Sequence, residues 1–109
     1  MITNTSQELD FAARIVQGRE NMALTIGSST NGREAKATYR SICGGLREVI
    51  KHHRNILGSV DDSGALHALK AMELVDRVQS WREASLAELG SFGIDRLEIR
   101  QIEEECRVV

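Results

Sequence analysis

Between residues 33 and 57, Ala35, Tyr39, Ile42, Leu46, Val49, His53 and Ile56 recur at intervals of four, three, four, three, four and three. Only an α-helix carries such a series along one side, because 3.6 residues per turn brings every third or fourth side chain back to the same face. Cys43, Ile50 and Leu57 broaden the seam on one flank. A strand would need alternation with period two, and this segment has none. The seam therefore predicts a helix of about 37 Å over 33–57, with a partner against its apolar side.

The rest of the chain is read from that helix. Residues 64–89 form a second long periodic stretch, with His67, Ala71, Leu74, Val78, Trp81 and Ser85 in line and Ala68, Val75, Leu86 and Leu89 beside them, Met72 at the margin. So wide an apolar arc predicts contact with two neighbours. Between the two stretches, Gly58 suits a left-handed helix end and "SVDDS" (59–63) a short turn with N-cap candidates. An N-terminal helix is expected over about 6–26, opened by a Thr5–Glu8 capping box, with Gly18 as a soft spot or break. "MALTIG" (22–27) is the one place where a short strand competes, and "GSSTNG" (27–32) is a loop. A shorter C-terminal helix starts at Asp95, with Glu98 as its capping partner, and turns Ile99, Ile102, Cys106 and Val109 one way. The 109 residues contain no proline and suffice for one modest core. The expected fold is a single all-α domain over 1–109: an antiparallel hairpin of two long helices, an N-terminal helix packed along it and a short C-terminal helix. Such a hairpin leaves apolar surface uncovered, so a homo-oligomer is expected.

Charge adds a second strip to the seam helix. Taking Lys36 as the origin, Arg33, Arg40, Arg47, Lys51 and Arg54 all fall within about 60° of it. This basic stripe lies beside the seam, and three readings of it stand. It is a solvated face whose stems cover the core edge, a partner for acidic groups, or a site for a polyanion. The second reading draws on an asymmetry. Residues 1–57 hold eight bases and five acids, residues 58–109 six bases and eleven acids, three of them at 103–105. Against the third stand a pI of 5.9 and the scarcity of aromatic residues for base stacking. No helix-turn-helix, zinc-finger or RNA-binding aromatic pattern is present.

Beyond the stripe lies a strip of small residues containing Gly44 and Gly45. Two mid-helix glycines cost roughly 2 kcal/mol relative to alanine, which close approach of a second helix, a kink or a ligand against the backbone would offset. Otherwise they are merely tolerated.

Catalytic chemistry finds no assembled set of groups. His52 and His53 are adjacent and point about 100° apart on a helix, so they cannot share a metal ion. Glu48 and His52 share a face but make only two ligands. His67 is expected to meet His53 or Ile56 across the hairpin as a packed, hydrogen-bonded pair, a candidate pH-sensitive joint. Cys43 and Cys106 have no obvious activating base and are read as reduced thiols of a cytoplasmic protein. The longest apolar runs are far too short to cross a membrane. The sequence thus points to a non-enzyme without cofactor, metal or catalytic residues: a small adaptor, inhibitor or regulator acting through helix surfaces. Its expected partners are itself and an unidentified protein, an acidic one suiting the basic stripe. Nucleic acid or a phosphorylated ligand on the basic stripe is the alternative. The expected binding residues are Arg33, Lys36, Arg40, Gly44, Gly45, Arg47, Lys51 and Arg54.

Overall fold

The seam helix is started by Asn31, whose side chain accepts the Glu34 N–H at 3.0 Å, while the Glu34 carboxylate accepts the Thr30 N–H at 3.3 Å. These reciprocal bonds satisfy donors that the first turn leaves open. In the computed structural model, which describes residues 5–58 and 64–107, the elements in order are α1 (Thr5–Thr25), one 3₁₀ turn (Ile26–Ser28), α2 (Gly32–Leu57), α3 (Gly64–Ser91) and α4 (Arg96–Glu105). Among the described residues every regular element is helical, so the all-α expectation holds and residues 22–27 form helix and 3₁₀ turn instead of a strand. Gly18 does not break α1.

Cross-helix contacts give the directions. Near the start of α1, Glu8 meets His52 and Asn55 near the end of α2, whereas Arg19 meets Ser41 in its middle. Helices α1 and α2 are therefore antiparallel. Thr5 meets His67 and Glu20 meets Arg77, so α1 runs parallel to α3. It follows that α2 and α3 form the expected antiparallel hairpin, with α1 in the groove between them. Helix α3 packs on both α1 and α2, which is why its apolar arc is wide.

The core falls into two clusters along this rod. One unites Ile26, Ala35, Tyr39, Ile42, Cys43, Leu89, Ile94 and Ile102. The other unites Ala12, Val16, Leu46, Val49 and Val78. Six of the seven seam residues are buried, and His53 is half-buried. Each large aliphatic side chain so placed contributes about 1.5–3 kcal/mol of transfer free energy. The short α4 caps the first cluster through Ile99 and Ile102. Asp95 starts it as expected, accepting the Glu98 N–H at 2.9 Å. The molecule measures 49 × 25 × 21 Å with a radius of gyration of 15.1 Å, above the roughly 13 Å of a compact globule of this length.

Two local expectations are corrected. Gly58 is right-handed (φ −81°), because its N–H closes on the Arg54 and Ile56 carbonyls and merely tightens the last turn. The left-handed glycine is Gly93 (φ 73°), in the turn between α3 and α4. Glu8 does not fold back to box Thr5; its carboxylate is taken by His52 and Asn55 on α2. "SVDDS", Val109 and the first four residues lie outside the described residues.

Candidate binding surface

The basic stripe is divided by its neighbours. Over the first half of α2, Lys36 pairs with Glu98 at 3.5 Å and Arg40 with Glu105 at 2.9 Å, both on α4. Tyr39 adds a hydroxyl donated to Glu103 at 2.8 Å. Here the acidic C-terminal segment is indeed an intrachain partner of the stripe. Arg33 is exposed in the first turn of α2, and Lys51 pairs with Glu48 of its own helix at 3.4 Å. Arg47 and Arg54 turn elsewhere. They line a cleft of about 460 Å³ where α4 ends and the sides of α2 and α3 are left uncovered.

That cleft holds more positive charge than α2 alone supplies. Arg82 of α3 and Arg107, just past α4, join Arg47 and Arg54, facing only Glu103 and Glu104 among the lining acids. Cys43, Leu46 and Ile50 give it an apolar floor. Both carboxylates already have partners, Glu103 in the Tyr39 hydroxyl and Glu104 in Arg107 at 3.7 Å. By contrast, Nε of Arg47 and Nε of Arg82 are buried and meet no acceptor among the described residues.

The two glycines behave differently. A side chain on Gly44 would meet nothing within 4 Å. A Cβ on Gly45 would stand 2.6 Å from Arg19 Nε and 2.9 Å from Arg19 Cδ. Gly45 is the place where the Arg19 side chain of α1 lies flat on α2, its Nε donating to the Ser41 carbonyl at 2.8 Å. Close approach does explain one glycine, although the visitor is a side chain and not a helix backbone.

The histidines gather at the far end of the rod without pairing. His67 Nδ1 lies 2.5 Å from the Thr5 hydroxyl. His52 bonds the buried Glu8 carboxylate and meets the Phe11 ring at a tilt, with centroids 5.7 Å apart. His53 Nε2 is buried without a hydrogen-bond partner among the described residues. In place of the expected His53 or Ile56, His67 meets Thr5 of α1. No three His, Cys, Asp or Glu side chains among the described residues are grouped to hold a metal ion. Burial, foremost, pushes the Cys43 thiol up to about 11, and burial with Glu105 raises Cys106. Both are thiols, not thiolates, at neutral pH, so neither is an activated nucleophile.

Sequence reading missed Arg82, Arg107, Arg19 and Glu8. No local pattern ties them to α2, since each reaches it from another helix or from beyond one. No protein-family model, curated protein or solved structure matches this chain. Its class is set by architecture: an all-helical protein with four packed helices among the described residues. None of those helices is long and apolar enough to cross a membrane.

Proposed function

We propose that this chain is a small non-enzymatic binding protein, an adaptor, inhibitor or regulator, that works through its helix surfaces as a homo-oligomer. One observation carries the reading. Leu57, Leu66, Leu69 and Met72, from the last turn of α2 and the first turns of α3, are 51–62% exposed at one end of the rod. His67 and Ala71 turn inward, so Leu66, Leu69 and Met72 occupy the outer side of α3. Apolar patches of this kind on soluble chains mark contact surfaces, and a helix face offering Leu and Met at helical spacing suits another helix. A second copy brings the same face, which permits the self-complementary pairing of a two-fold dimer.

The test is sedimentation equilibrium over a wide concentration range. A reversible dimer or higher oligomer is expected. Leu69→Glu, on the outer side of α3, should shift it to monomer with the helical circular dichroism unchanged. A wild-type chain that stays monomeric at high concentration would defeat the proposal.

A further inference from the structure

We infer that the cleft between α2, α3 and the end of α4 is a binding site for a small phosphate monoester, with Arg47 and Arg82 as the residues that grip the phosphoryl group. The inference goes beyond the oligomeric binding role, draws on different residues and stands or falls without it.

The starting point is an unmet donor on each of two walls. Arg47 comes from α2 and Arg82 from α3, and the Nε–H of each is buried with no acceptor among the described residues. Native structures satisfy nearly all such groups, and a desolvated guanidinium donor is among the more costly to leave open. Both side chains also line one cleft, where a bound oxyanion would offer the acceptors they lack. The lining acids do not supply them, since Tyr39 and Arg107 engage Glu103 and Glu104. Arginines outnumber glutamates in the lining, which suits an anionic ligand.

Geometry selects the ligand's chemistry further. A guanidinium presents a rigid fork of donors that pairs with two oxygens at once. One planar carboxylate fills one fork. A phosphoryl group, with three terminal oxygens arranged tetrahedrally, can take a fork from each wall. The floor of Leu46 and Ile50 is suited to an organic body, and about 460 Å³ lies within the range of small-molecule sites. An extended polyanion fits less well. The row of cations is interrupted on the α4 side, where Lys36 and Arg40 are engaged by Glu98 and Glu105.

The experiment is a titration of the full chain with phenyl phosphate, followed by ¹H–¹⁵N NMR at the arginine Nε–H resonances. Saturable shifts of the Arg47 and Arg82 Nε–H signals are expected, with affinity falling as pH drops through about 6 and the monoester loses its second charge. Arg47→Gln and Arg82→Gln should each weaken binding at least about tenfold, while Arg33→Gln stays within about twofold. If a glutamine variant fails the circular dichroism check, Arg47→Lys and Arg82→Lys keep the charge and lose the fork, and should still weaken binding severalfold. Three results would overturn the inference. One is the absence of saturable shifts; another is equal binding of benzoate. The third is tighter, steeply salt-dependent binding of an RNA oligonucleotide to the same two arginines.

Discussion

Gly45 and Arg19 form a matched pair in which one residue's missing side chain is the other's resting place. Gly44, one position earlier, has no such tenant, so the two glycines should respond differently to alanine. Gly44→Ala is expected to stabilise by up to about 1 kcal/mol through helix propensity alone. Gly45→Ala gains the same propensity but must lift Arg19 away and break its 2.8 Å bond to Ser41, for a net change near zero or a loss of about 1 kcal/mol. In an Arg19→Ala background, Gly45→Ala should become stabilising; urea denaturation of the four chains closes this double-mutant cycle. A second prediction concerns Cys43 and Tyr39. Burial raises both, Cys43 to about 11, so the folded state holds protons that the unfolded chain releases. Their contribution to stability is whole below about pH 9 and is lost as pH climbs towards 11 and beyond. Denaturation midpoints should fall over that window, and Cys43→Ser should flatten the fall between pH 9 and 11.

Among the elements, α2 was the most legible and α4 the most instructive. A 4-3-4-3 series that includes Tyr39, Ile42 and Val49 has one physical solution, and these side chains are indeed fully buried. The ends were less legible. Gly58 suits a left-handed exit, yet a helix can also finish by tightening, and composition does not distinguish the two. Helix α4 is held to α2 by ion pairs on the outside and isoleucines beneath, and these differ in weight. Arg40 and Glu105 are each about half exposed, so Arg40→Gln should cost under about 1 kcal/mol. Ile102→Ala removes a side chain that is 2% exposed and should cost about 2–4 kcal/mol. Hydrogen exchange should show α4 opening first in the Ile102 variant and scarcely changed in the Arg40 variant.

For the whole molecule, the opposed charges of the two halves meet where Lys36 and Arg40 lie against α4, while Arg77 pairs with Glu20 on α1. The candidate cleft was only half readable beforehand. Arg47 and Arg54 announce themselves through helical spacing, but nothing in a linear string says that Arg82 will stand opposite them. That depends on the crossing of α2 and α3 and on α4 covering only part of the groove. A dissociated Leu69→Glu chain should scatter X-rays as a rod with a radius of gyration near 15 Å, and the associated wild type with a larger one. The buried Glu8, tied to His52 and Asn55, carries a last consequence. Sliding α1 by one turn, about 5.4 Å, would strand that carboxylate among apolar groups and pull Arg19 off its glycine. Apolar faces alone tolerate such slippage, whereas a peg at Glu8 and a notch at Gly45 admit a single alignment of α1 on α2.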